Sequence, residues 1–224
     1  MPTAIVTGAS RGLGLELSRS LAADGWRVVI DARDPAALHA AATLIGGDVV
    51  PLAGDVAHRM HRRELVEAAG NRIDLLVNNA SSVGLTPLRS LAATPLEAVA
   101  RVFAVNVFAP VELVQLVLPR MPDGGVVLNL SSDAALEHYE HWGPYGASKA
   151  ALDHLSLTLA AEHPHLRIHA VDPGDMATQM HADALPDDDP ATLLDPADVV
   201  PALRTLIDED RPSGRHRANG LVAA

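Results

Sequence analysis

The sequence predicts a single α/β domain in which a doubly wound parallel sheet is covered by helices on both faces. Three observations carry this expectation. Short, β-branched, apolar runs alternate along the chain with longer amphipathic stretches. The short runs are apolar on both faces, as strands buried between two helical layers must be. A glycine-rich turn also joins the first run to the first amphipathic stretch.

Taken in order, strands are expected at Thr3–Thr7, Arg27–Asp31, Val49–Leu52, Leu75–Asn78, Val126–Ser131 and Arg167–Val171. Helices are expected at Gly12–Asp24, Pro35–Ile45, Arg59–Gly70, Pro95–Pro119, Pro144–Glu162 and Pro196–Asp208. Right-handed crossovers between such strands wind the sheet outward in both directions. No repeat or low-complexity linker divides the 224 residues, so the whole chain is read as one dinucleotide-binding and catalytic domain. The Pro/Asp-rich stretch Leu185–Pro190 reads as a loop, part of a short substrate flap near residues 175–192.

Composition removes several function classes. The formal net charge of -11 opposes nucleic-acid binding, which needs a basic face. Cysteine is absent, so disulfides and thiolate chemistry are excluded. The first residues run straight into a strand-like segment without a basic region and a long apolar stretch, and no apolar run reads as long enough to span a membrane. The expected compartment is the cytoplasm. His58/His61 and His138/His141 are spaced three apart, yet neither pair has a convincing third and fourth ligand. No metal site is expected, and these histidines are read as surface or pocket-lining.

The turn Thr7-Gly8-Ala9-Ser10-Arg11-Gly12-Leu13-Gly14 has the composition of a phosphate cradle. Its glycines permit a tight turn and close approach of a pyrophosphate, and the helix that follows offers free N–H groups and a positive dipole end. A second signal is Tyr145-Gly146-Ala147-Ser148-Lys149. Residues four apart share one helix face, so the phenol and the ammonium can serve one site. A nearby ammonium is expected to draw a phenol pKa down and make it a usable general acid or base. Lys149 is the only lysine among seventeen Lys and Arg residues, and a compact ammonium suits contact with ribose hydroxyls better than a guanidinium fork. Asn106 sits inside the long fourth helix, where Asn is a poor residue, and Pro110 four positions on should free its carbonyl.

Thr-Gly-x-x-x-Gly-x-Gly followed by Tyr-x-x-x-Lys resembles the short-chain dehydrogenase/reductase family, single-domain branch, and further motifs in the same order extend the resemblance from Thr3 to about Val200. The resemblance implies a Rossmann-like fold and a nicotinamide cofactor held by Gly8, Ser10, Arg11, Gly12, Leu13 and Gly14. It implies an adenine contact at Asp55 with Val56, and cofactor contacts at Asn79 and Ala80 of Asn78-Asn79-Ala80, where Ser81 replaces the family's Gly. Pro173, Gly174 and Thr178 resemble the family's cofactor contacts after the sixth strand, although Asp175-Met176 replaces more usual apolar residues. Ser132 lies thirteen positions before Tyr145, matching the family's spacing and favouring it over Ser131 as the group that holds a substrate oxygen. Asn106 matches a residue that helps hold a water linking the lysine to solvent. Tyr145 and Lys149 would also contact the cofactor, and a homodimer or homotetramer is implied.

For the cofactor, the family's discriminating acid position holds Ala32, and Arg33 follows. Arg33 and Arg11 would suit a 2′-phosphate, whereas Asp31 falls one residue early and should point to the other side of the strand. NADP(H) is favoured over NAD(H). The reading is therefore an oxidoreductase that passes hydride between NADP(H) and a small carbonyl or alcohol substrate, as a ketone or aldehyde reductase or a secondary-alcohol dehydrogenase. The competing reading is a catalytically silent cofactor-sensing or scaffold protein on the same fold, and intact Ser132, Tyr145 and Lys149 argue against it. An epimerase or dehydratase would need a larger C-terminal region and another glycine spacing. The segment 133–142 could line a pocket or form an exposed loop, and Ser213–Ala224 lacks the family's common Gly-Gly ending, which leaves any tetramer interface open.

Overall fold

A computed structural model describes Met1–Leu221; Val222–Ala224, which the expected domain and the C-terminal segment include, lie outside the described residues. The elements run β1 (Thr3–Val6), α1 (Gly12–Ala23), β2 (Arg27–Ala32), α2 (Pro35–Ile45), β3 (Val49–Ala53), α3 (Arg59–Ala69) and β4 (Leu75–Asn78). They continue with α4 (Leu96–Phe103), α5 (Ala109–Val117), β5 (Val126–Leu130), α6 (Gly143–Glu162), β6 (Arg167–Asp172), α7 (Gln179–Ala184), α8 (Pro196–Asp208) and β7 (Gly214–Arg217). All strands are parallel, in the order β3-β2-β1-β4-β5-β6-β7. The order reverses between β1 and β4, which opens a crevice at the carboxyl ends of the central strands.

Alternation along each strand divides the core in two. Ala4, Val6, Val28, Ile30, Leu75, Val77, Leu128 and Val171 face α1, α2 and α8. Ile5, Val29, Leu76, Val127 and Ile168 face the other layer, with α3 and α5. Period-two packing against helices on both sides is why the inner strands β1, β4 and β5 are largely apolar on both faces. Asp34 starts α2 by accepting from the N–H groups of Ala36 and Ala37, with Pro35 in the first turn. Asp195 and Pro196 do the same for α8.

Three expectations are corrected. The single helix Pro95–Pro119 is interrupted: a π-helical turn, Ala104–Phe108, separates α4 from α5. Pro110 has no N–H to give Asn106, and the Ala109 N–H reaches back to the Ala104 carbonyl, five residues away. Together, Leu96–Arg120 makes 25 residues that are, by length and composition only, long and apolar enough to cross a membrane, where the sequence reading expected no such run. Here it lines the sheet through Ala109, Leu113, Val114 and Val117, and Glu112 pairs with Arg59 and Arg62 of α3. The third correction is β7, a seventh strand where none was expected. Within the expected flap, α7 forms, and Met176 bridges Leu194.

Candidate active site

The glycine turn leaves β1 and is shaped by its neighbours. Gly8 has φ +66°, and a Cβ there would sit 2.8 Å from Ala80 Cα. At Gly14 a Cβ would sit 2.5 Å from Asn79 Nδ2 and 2.9 Å from the Gly8 carbonyl oxygen. Only residues without a side chain allow this closeness. Asn79 Nδ2 donates to the carbonyls of Thr7 (2.8 Å) and Gly8 (3.0 Å), and the Asn79 and Ala80 N–H groups donate to Thr7 Oγ1 (3.0 Å each). Asn79 and Ala80 thus buttress the turn from β4.

A cleft of about 320 Å³ opens at the carboxyl ends of the central strands, a size suited to a small ligand. Leu13, Asn79, Ser132, Tyr145, Lys149, Pro173, Gly174 and Thr178 all line it, although 165 positions separate Leu13 from Thr178 in the chain. Thr178 also caps α7 by accepting from the His181 N–H (3.3 Å). Arg33, Asp55 and Val56 lie outside this cleft, after β2 and β3. Arg11 and Arg33 are exposed, and among the described residues neither takes part in an ion pair. Asp55 Oδ1 accepts from the Ala57 N–H (2.9 Å).

Tyr145 and Lys149 stand one turn apart on α6, both buried. The Lys149 ammonium lies 5.5 Å from the Tyr145 ring centre and donates to the Leu130 carbonyl (2.6 Å) at the end of β5. Ser132 Oγ donates to Asp133 Oδ1 (3.0 Å) and accepts from the Ala134 N–H (3.2 Å). Ser131 is buried and also lines the cleft, but among the described residues its hydroxyl makes only a long contact to the Ser132 carbonyl (3.5 Å). Tyr139 donates to Asp133 Oδ2 (2.8 Å), so part of the segment 133–142 faces the cleft: Asp133, Ala134, Tyr139 and Trp142. Glu137, His138 and His141 are exposed.

The electrostatics depart from expectation. Burial pushes the Tyr145 phenol up to about 12, with the hydroxyls of Ser132 and Ser81 pulling against it. Burial also lowers Lys149 to about 8, opposed by the charge of Asp153. The chain alone therefore does not draw the phenol toward neutrality, because desolvation of a buried oxyanion, with the charges of Asp133 and Asp172 adding to it, outweighs the hydroxyls of Ser132 and Ser81. At Asp133 burial opposes the charge, but hydrogen bonds from Tyr139, Ser132 and the Ala134 N–H outweigh it and hold the carboxyl below its usual range. Burial pushes Asp172 up, against the Gly174 N–H.

Asn106 is buried in the π-helical turn. Its side chain accepts from the Ser82 N–H (2.8 Å) and Ser81 Oγ (3.3 Å), and donates to the Ser82 carbonyl and Ser148 Oγ (2.9 Å each). It therefore ties the segment after β4 to α6. Ser81, in place of a glycine, needs no positive φ and lines the cleft.

Two participants, Arg215 and His61, were not found from sequence. Arg215 of β7 donates to Asp153 Oδ2 (2.7 Å) on α6 and to the Ser132 carbonyl (3.0 Å), and lies 3.7 Å from Asp172. One guanidinium thus joins the segments that carry Ser132, Lys149 and Pro173. His61, read as surface or pocket-lining, is buried instead, with Nε2 3.0 Å from Asp31 Oδ2. Among the described residues, no group of three or more His, Cys, Asp or Glu is placed to hold a metal ion.

A nicotinamide dinucleotide fits the residues present. The turn after β1 is kept free of side chains by contact with Asn79 and Ala80, and the cleft runs from Leu13 to the buried Tyr145 and Lys149.

The sequence model of the family described as short chain dehydrogenase matches residues 2–189. A relative described as benzil reductase ((S)-benzoin forming), from Saccharomyces cerevisiae, is 34% identical over 194 residues, covering 80% of this chain and 73% of that protein. Among solved structures, a Shigella flexneri 2a protein complexed with NADP superposes with a TM-score of 0.90 at 27% identity, over 97% of both chains. An Escherichia coli CFT073 protein complexed with NADPH gives 0.89 at 29% identity, over 97% of this chain and 96% of that one. The chain belongs to the short-chain dehydrogenase/reductase family, whose members are oxidoreductases using nicotinamide cofactors.

Proposed function

We propose that the protein is an NADP(H)-dependent carbonyl reductase or secondary-alcohol dehydrogenase working through Ser132, Tyr145 and Lys149, with residues 175–192 covering the substrate side. One observation carries this reading: the three side chains line one cleft beside the glycine turn although they come from two different segments. A bound nicotinamide would supply a hydride to the carbonyl carbon, or accept one in the reverse direction. The Tyr145 hydroxyl, protonated up to about pH 12, is in the state needed to give its proton to the carbonyl oxygen. The product alcohol thus receives one hydride and one proton.

Ser132 holds the carbonyl oxygen by turning its hydroxyl from Asp133 toward the substrate, where a donor is worth most as negative charge develops. Lys149 exchanges the Leu130 carbonyl for ribose hydroxyls when the cofactor is seated. Asn106 keeps the Ser81–Ser82 segment against α6 and supports proton relay behind Lys149. Pro173, Gly174 and Thr178 meet the nicotinamide half, and Gly8 to Gly14 the pyrophosphate. Asp55, Val56, Asn79 and Ala80 bound the adenosine half.

NADP(H) is preferred over NAD(H) because Arg33 and Arg11 are exposed cations without an ion pair among the described residues, whereas the nearby carboxylate of Asp31 is buried and turned inward. The complexes of the two structural relatives with NADP and NADPH support the same choice. Fluorescence titration with NADPH and NADH, on the wild type and Arg33→Ala, tests it. Tighter binding of NADPH, reduced selectively in the variant, is expected. Equal binding of both nucleotides by the wild type contradicts it.

A further inference from the structure

Asp31 does not serve the ribose, yet it is among the most heavily engaged residues at the cofactor end of the sheet. It stands near the end of β2 and is 2% exposed. Its Oδ1 accepts the Gly8 N–H at 2.6 Å, and its backbone carbonyl accepts the Ala9 N–H at 2.9 Å. Two successive N–H groups of the glycine turn are therefore fixed by one residue of the neighbouring strand. The remaining oxygen, Oδ2, lies 3.0 Å from Nε2 of His61 on α3. An ionised carboxylate can only accept, so His61 Nε2 carries the hydrogen.

The imidazole is wedged under the turn that follows β3. A Cβ on Gly54 would stand 2.3 Å from His61 Nδ1, so the ring fills the space that a side chain there would need. Gly54 directly precedes Asp55 and Val56. The Asp31–His61 contact thereby links three segments: the glycine turn, the end of β2 that leads to Arg33, and the Gly54-Asp55-Val56 turn. These are the segments assigned above to the pyrophosphate and adenosine.

We propose that Asp31 and His61 are a positioning pair for the adenosine half of the cofactor site, preorganising the glycine turn and the adenine turn from behind. This rests on the cofactor reading above. Neither residue touches the cofactor. His61 supplies the charge-assisted bond that holds the Asp31 carboxylate in register, and Asp31 sets the Gly8–Ala9 backbone. Removing the donor leaves a buried carboxylate oxygen without a partner, and the carboxylate and the backbone it holds must shift to relieve that.

The test is a set of titrations with NADPH, NADH and adenosine 2′,5′-bisphosphate, the last a probe of the adenosine half alone. They are run on wild type, His61→Leu, His61→Gln and Asp31→Ala, each checked by thermal unfolding. His61→Leu is expected to raise the Kd of all three ligands by about tenfold, while kcat at saturating NADPH, on a ketone that the wild type reduces, stays within about twofold. His61→Gln places an amide N–H at similar reach and is expected to recover most of the affinity. Asp31→Ala, which gives the reading if His61→Leu does not fold, is expected to match or exceed its rise in Kd. Unchanged affinities in folded His61→Leu or Asp31→Ala overturn the proposal, as does a folded His61→Gln that binds no better than His61→Leu. Failure of the wild type to bind either dinucleotide is a separate result, and it overturns the cofactor reading instead.

Discussion

At the scale of single residues, two side chains and one glycine set the terms. Lys149 is held near pKa 8 by burial, so its ammonium is lost within an accessible range while Tyr145 stays protonated to about 12. If carbonyl reduction needs the ammonium, kcat/KM falls as pH rises through about 8, and in Lys149→Arg that limb disappears because a guanidinium does not titrate there. A pH profile of ketone reduction checks this; a falling limb that survives in the arginine variant assigns it to another group. At Gly14 a methyl group would strike Asn79 Nδ2 at 2.5 Å and the Gly8 carbonyl at 2.9 Å. Gly14→Ala is expected to lose on the order of 1–3 kcal/mol of stability by overpacking, and to weaken NADPH binding at least tenfold. Thermal unfolding and titration measure the two effects together.

At the scale of elements, β7 matters more than its length suggests. It is four residues long and reads Gly-Arg-His-Arg, without an apolar face or β-branched residues, so no periodicity marks it. Its pairing with β6 and the reach of Arg215 to Asp153, 62 positions away, are tertiary facts. The same limit hid His61, whose partner Asp31 is 30 positions distant. Local signals were legible: the glycine turn, the one-turn spacing of Tyr145 and Lys149, and six of the seven strands. The break in the fourth helix was half legible, since Asn106 and Pro110 announced an irregularity but not its π form. Arg215→Leu is expected to destabilise the fold by about 3 kcal/mol, because it leaves Asp153 as an unpaired buried charge. Replacing Arg215 and Asp153 together by leucine should cost less than the single change. Equal midpoints for Arg215→Leu and wild type in urea would remove β7 from this account.

At the scale of the whole molecule, the fold tolerates alkali better than acid at one buried point. Burial holds His169 at about 4, with the His216 and Arg167 charges adding to the effect, and its Nδ1 lies 3.1 Å from His216 Nε2 between β6 and β7. A histidine depressed in the folded state stabilises it fully above the unfolded value of 6.5, and loses that contribution as pH falls toward 4. The loss is on the order of 3 kcal/mol across that window. His169→Phe is expected to flatten the acid side of the stability curve between pH 6.5 and 4, measured by urea unfolding at a series of pH values. An unchanged slope would show that other groups govern acid unfolding. The two-layer architecture was legible as a whole because it depends on strand composition and alternation, which are local. The partners that fix the cleft from behind were not, because polar side chains meet there across long sequence separations.

The most direct measurement is NADPH oxidation with a panel of ketones and aldehydes, by the wild type and by Tyr145→Phe, with NADPH affinity measured in parallel. Removing one hydroxyl from a buried ring leaves the packing against Trp142 in place. The account predicts turnover by the wild type, a fall of roughly 10²–10⁴-fold in kcat for the variant, and NADPH affinity within a few-fold of wild type. Turnover at wild-type rate in Tyr145→Phe would contradict the assignment of Tyr145 as the proton donor.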